Sequence, residues 1–172
     1  MRVHLGVIAV ALALSACSWQ DTRWLPREVF DPAQVAWSQA PGPNTVSGQA
    51  LYTSLAGDMR VCANQTVRLV PDSAYARQRF LELYGSDVSG LSNGKNFGPY
   101  GPDRSDPRYL TSARSTTCDA SGNFKFDGVA NGTWYVLSTM AWSANNTADA
   151  PGTASFKRVV LKDGTTAEIS LP

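Results

Sequence analysis

The residues from Cys118 to Trp142 constrain this chain most. Phe124 and Phe126 alternate with Asn123, Lys125 and Asp127, and Asn131-Gly132 follows as a turn signal. Trp134 to Trp142 then carries the densest apolar content downstream of the N-terminal segment. Alternation at period two, bounded by Gly and Asn, is the pattern of half-buried antiparallel strands. The stretch therefore predicts a hairpin, two strands around a tight turn, and with it a β-sandwich. It carries no chemistry of its own. Asp119 reads as a turn residue that bonds backbone amides.

The rest of the chain supplies more strands and one helix. Thr45 to Thr53 reads as the first strand, with Gly48 at a bulge. Met59 to Val70 reads as two short strand pieces around Ala63-Asn64, with Val67 and Leu69 alternating with Arg68. Pro71 stops that run and Asp72 is placed to cap a helix. From Ser73 to Tyr84, Ala76, Phe80, Leu83 and Tyr84 form one apolar stripe. A helix this short is marginal in isolation, so it must pack on the sheet. Gly85 is placed to end it. Further strands are predicted at about 112–118, 123–127 and 133–142. A closing hairpin is predicted from Phe156 to Leu161 and Ala167 to Leu171, around Lys162-Asp163-Gly164. The fold expected is mainly β: an antiparallel sandwich of seven or so strands with one short packed α-helix.

Two regions stand outside that pattern. Gly85 to about Pro107 is rich in Gly, Ser, Asn and Pro, and loops of this length are usually functional or mobile. Phe97, Tyr100, Tyr109, Arg104 and Arg108 make it the place to expect a recognition surface; a mobile insertion is the alternative. Residues 18 to about 44, broken by Pro26, Pro32, Pro41 and Pro43, read as a tether. Trp19, Trp24 and Trp37 lie in it. Exposed indoles favour burial, so they rest on the domain or the lipid interface, or else dock an envelope partner.

The N-terminus reads as a targeting segment. Arg2 precedes an apolar run from Leu5 to Leu14 that is too short to span a bilayer, and Leu14-Ser15-Ala16 precede Cys17. Leu-Ser-Ala-Cys resembles the processing site of bacterial lipoproteins. That resemblance implies residues 1–16 as signal peptide, Cys17 as the lipidated first residue, and, with Ser18 following, a place in the outer membrane. Several acyl chains hold far better than one, since each buried methylene contributes roughly 0.8 kcal/mol. Cys62 and Cys118 then remain, and an even pair in an oxidising compartment predicts one disulfide, with two buried free thiols as the alternative. The bond would close a loop of about 57 residues, worth roughly 4 kcal/mol.

A family resemblance covers most of residues 45–172. Asp119, Gly122, Phe124 and Phe126, followed by Gly132 and Trp134-Tyr135-Val136, resemble the transthyretin-like, or carboxypeptidase-regulatory-like, β-sandwich. Val46-Ser-Gly48-Gln-Ala50 is similar to its first strand, and the closing strands around Gly164 to its last two. The helix and the long loop depart from the minimal sandwich. The resemblance implies a non-catalytic role: ligand carriage, support of a neighbour, adhesion or assembly.

Composition and motif content point the same way. Without Arg2 the 15 basic residues become 14, against 14 acidic ones, a balance that argues against nucleic acid as a partner. His4 is the single histidine and lies in the targeting segment. This leaves no Ser-His-Asp or Cys-His catalysis downstream, and no His-based metal site. No Gly-rich phosphate loop is present. Asp119, Ser121 and Asn123 are spaced like the first EF-hand ligands, but Phe124 stands where that loop needs Gly and Ala130 where it needs Glu. Asp103 and Asp106 lack the rigid support that a carboxylate pair needs. The expectation is a protein without enzyme activity or cofactor, held to a membrane through Cys17. Its role would be that of a structural or protein-interaction module of the envelope, with a small-ligand or glycan binder using residues 85–107 as the alternative.

Overall fold

A computed structural model describes residues 27–53, 57, 59–92, 105–141 and 152–171. A 3₁₀ segment, Pro32–Gln39, leads into β1 (Asn44–Thr53), β2 (Met59–Val61) and β3 (Thr66–Pro71). Helix α1 (Ala74–Tyr84), β4 (Ser89–Ser92), α2 (Pro107–Ser112) and β5 (Arg114–Thr117) follow. The chain then forms β6 (Asn123–Val129), β7 (Gly132–Ala141), β8 (Gly152–Leu161) and β9 (Thr166–Leu171). One sheet is built on β1, which pairs antiparallel with β2 and β6 and parallel with β9. The other has the order β4-β8-β7-β3-β5 and is antiparallel throughout. The architecture is a mainly β sandwich, as the alternation predicts.

The two sheets enclose one core. Val46, Ala50, Phe124, Phe126, Ile169 and Leu171 meet Val67, Leu69, Trp134, Val136 and Leu161. The five-stranded sheet has a second buried face. There Val70, Tyr135 and Phe156 lie beneath Ala76 and Phe80 of α1, with Phe30, Val35 and Tyr109 alongside. A strand covered on both sides reads as a continuous apolar run, which is why Trp134, Tyr135 and Val136 are all fully buried in succession.

The stretch from Cys118 to Trp142 is not a hairpin. Its strands β6 and β7 lie in opposite sheets, so Phe124 and Phe126 face Trp134 and Val136 across the core rather than beside them. The connection is held as a corner. The Asn131 carboxamide oxygen accepts from Asn44 Nδ2 at 2.9 Å and from Asp163 N–H at 3.1 Å. Gly132 takes φ +145°, and a Cβ there would meet the Trp37 ring at 2.3 Å. We expect Gly132→Ala to displace Trp37 and to lower stability by about 1–3 kcal/mol, read from urea unfolding followed by near-UV circular dichroism. An unchanged midpoint with an unchanged aromatic signal would refute that role for Trp37. The closing turn behaves alike. Asp163 and Gly164 both have positive φ and Thr165 N–H bonds Lys162 O at 3.1 Å, as the Asp-Gly signal requires. Yet β9 crosses to β1 instead of pairing with β8.

Three local readings change as well. Residues 27–44, expected in the tether, fold onto the domain: Phe30 and Val35 are buried, and Trp37 packs edge-on against Trp134 at 5.1 Å. Ser73, not Asp72, caps α1 by accepting from Ala76 N–H at 3.1 Å. Asp72 instead accepts from the Tyr135 hydroxyl at 3.1 Å and pairs with Arg77 at 2.6 Å. Within the expected loop 85–107, residues 89–92 are edge strand β4, and the expected strand from Ser112 is preceded by α2, capped by Asp106. Gly85 ends α1 in the left-handed conformation, as expected.

Candidate functional site

The outer face of the five-stranded sheet is covered in two blocks. Helix α1 lays Phe80 over Tyr135 at 4.2 Å and over Phe156 at 4.3 Å. The second block is a cluster of Phe30, Tyr75 and Tyr109, whose rings meet edge-on at 5.0–5.8 Å. It joins the N-terminal segment to α2. Arg108 strengthens this join: it holds Asp106 at 2.7 Å and donates to Phe30 O at 3.4 Å.

Between the blocks a cleft of about 140 Å³ stays open. Its floor is Val70, Leu137, Thr139 and Ala154 of the sheet, and its walls are Phe80, Leu83 and Tyr84 of α1 facing Tyr109, Leu110 and Ala113. Arg68, Arg79 and Ser105 add polar groups. Pleating explains Arg68: its neighbours Val67 and Leu69 point into the sandwich core, so it points to the helix side. The guanidinium of Arg79 lies over the rings of Tyr75 and Tyr109 at 5.8 and 5.9 Å. Burial pushes the Tyr84 and Tyr109 phenols far above the usual range, against the opposing pull of Arg79. Both hydroxyls therefore stay protonated and can donate. A second concavity is a shallow polar trough on the other sheet, lined by Ser47, Gln49, Asn123, Lys125 and Glu168, with Thr116 and Thr117 of β5 at its side.

The residues singled out in the sequence separate into three groups. Cys62 and Cys118 are bonded, with Cα atoms 5.8 Å apart. Trp37 and Tyr109 pack inward as supports, whereas Arg108 stays exposed at the surface while its guanidinium braces Asp106 and Phe30 O. Trp37 packs on Trp134 and donates to Gln34 O at 2.9 Å. Arg108 pins Phe30. Tyr109 is 8% exposed, because α2 turns its ring into the Phe30–Tyr75 cluster. Cys17, Trp19, Trp24, Phe97, Tyr100 and Arg104 lie outside the described residues. Sequence reasoning missed Arg68 and Arg79. The signal for Arg68 was its alternation with buried Val67 and Leu69; Arg79 had none, since it sits beside the apolar stripe of α1 as solvated arginines usually do. Asp119 is the turn residue expected: its carboxylate accepts from Ser121 and Asn123 N–H, both at 2.8 Å. The Asn123 side chain and these amides hold its carboxyl below the usual range. Among the described residues, no group of three or more His, Cys, Asp or Glu could hold a metal, and no helix is long and apolar enough to cross a membrane.

No protein-family model matches the chain, and no curated protein matches it. A solved structure carries this fold. It is the crystal structure of a Pseudomonas aeruginosa protein provisionally described as carbohydrate binding. The TM-score is 0.67 and the identity 26%, over 85% of this chain and 99% of that one. The overlap takes in nearly the whole of that protein, so the likeness extends to the complete sandwich and not to one motif.

Proposed function

We propose that this protein is a non-catalytic, saccharide-binding β-sandwich of the transthyretin-like type, held to the outer membrane of a cell envelope by lipid on Cys17. The likeness to the carbohydrate-binding candidate across 85% of the chain is the observation that carries the binding reading. Residue pattern alone favours an assembly role; this relative tips the balance toward ligand binding. The α1/α2 cleft suits such a ligand, since aromatic and aliphatic walls with a few polar groups are the usual lining of small-molecule sites. An apolar cavity of about 150 Å³ accepts a benzene-sized ring, so a cleft of about 140 Å³ has room for one six-membered ring.

Two measurements test the proposal. The detergent-solubilised full chain should bind at least one saccharide saturably on a glycan array and release no product from it; an array blank for neutral and acidic glycans alike sinks the binding reading. The anchor is tested separately. Cys17→Ser should move essentially all of the protein from the membrane pellet to the soluble fraction, and retention in the pellet would refute lipid anchoring through this residue.

A further inference from the structure

We infer that the α1/α2 cleft selects an acidic sugar, a uronate ring whose carboxylate is taken by Arg68 and Arg79; this rests on the saccharide-binding reading above. Both arginines line the cleft, and among the described residues neither makes an ion pair with a carboxylate. Both also act on the Tyr109 phenol, opposing its upward displacement. Arg79 is held in place over two tyrosine rings, a preorganised rather than a freely mobile cation. Tyr84 and Tyr109 line the same cleft, and their phenols stay protonated as donors there. Phenol donors beside two guanidiniums that pair with no carboxylate among the described residues suit an anionic acceptor in the cleft. The apolar walls ask for a flat ring face, and the arginines ask for a carboxylate on its edge. A uronic acid combines both.

Titration calorimetry of the full chain in detergent, with tetragalacturonate as probe, tests this. Saturable binding is expected, weakening as salt is raised. Arg68→Gln and Arg79→Gln should each weaken it about tenfold, and the double variant about a hundredfold. Arg68 is exposed, so its variant reports on binding even if replacing Arg79 loosens the Tyr75–Tyr109 packing; unfolding curves identify that case. Cellotetraose is the neutral control. If it binds as tightly as the uronate, and equally to wild type and the Arg68→Gln variant, the saccharide reading stands and the acidic selection is wrong. Equal binding of poly-glutamate would overturn the sugar as ligand, and amide-shift changes confined to the Ser47–Lys125–Glu168 trough would overturn the cleft as the site. No binding of tetragalacturonate overturns the acidic selection, while the saccharide reading stands or falls with the glycan array.

Discussion

Trp134→Ala is expected to lower the unfolding free energy by about 3–5 kcal/mol, enough to remove much of the roughly 5–15 kcal/mol that a domain has. Trp134 is fully buried and reaches both ends of its environment. Its ring packs against Trp37, its strand lies in the central β7, and its Nε1–H donates to Ala130 O at 3.1 Å. Truncation opens a cavity, orphans a buried carbonyl and releases the lid of the β6–β7 corner in one step. The urea midpoint should fall sharply and the near-UV signal of the paired indoles should vanish. Trp134→Phe should recover part of the stability but not the hydrogen bond. A loss below about 1 kcal/mol in the alanine variant would show that the core closes over the gap, contrary to the packing described.

Reducing the disulfide comes next in size. Cys62 and Cys118 are 56 residues apart, and releasing a loop of that length from the unfolded chain costs roughly 4 kcal/mol of stability. Both cysteines are buried, at 0% and 2% exposure, and flank a pair of backbone bonds, Asn64 N–H to Cys118 O and Cys118 N–H to Gln65 O. These bonds align the chain around the cross-link. The urea midpoint with and without reductant measures the effect, and Cys62→Ala with Cys118→Ala should reproduce the reduced value. Two thiols that alkylate in the native, unreduced protein would contradict the bond.

The strands and the helix were legible because burial of one face leaves a period in the sequence. Val67 and Leu69 around Arg68, Phe124 and Phe126 around Lys125, and Ala76 with Phe80 all fall where their period places them. What stayed illegible was which strand pairs with which. Alternation followed by Gly describes a hairpin and a corner between sheets equally well. The difference at Asn131-Gly132 lies in partners that are far away in sequence, Asn44, Asp163 and Trp37. The N-terminal segment was legible only in part: Trp37 rests on the domain as one of the expected alternatives, but the burial of Phe30 and Val35 had no signal. Prolines there signal the absence of regular structure, not of packing, and Phe30 and Val35 are buried without a strand or helix longer than a 3₁₀ segment to announce them. The cleft was legible only in part. Tyr84 stands out as part of a helix stripe and Tyr109 as a loop aromatic, but nothing in sequence brings them to one cleft with Arg68.

The parallel pairing of β9 with β1 sets the order in which the chain can become a protein. Thr45 lies beside Thr166 and Ala50 beside Leu171, so the edge of the first strand is completed by residues near the far end of the sequence. Without that pairing, Val46 and Ala50 lack Ile169 and Leu171 beside them, and the inter-sheet core is open along one edge. Contacts of such long range form late and slowly. Closure of this sheet is therefore expected to wait on the pairing of β1 with β9.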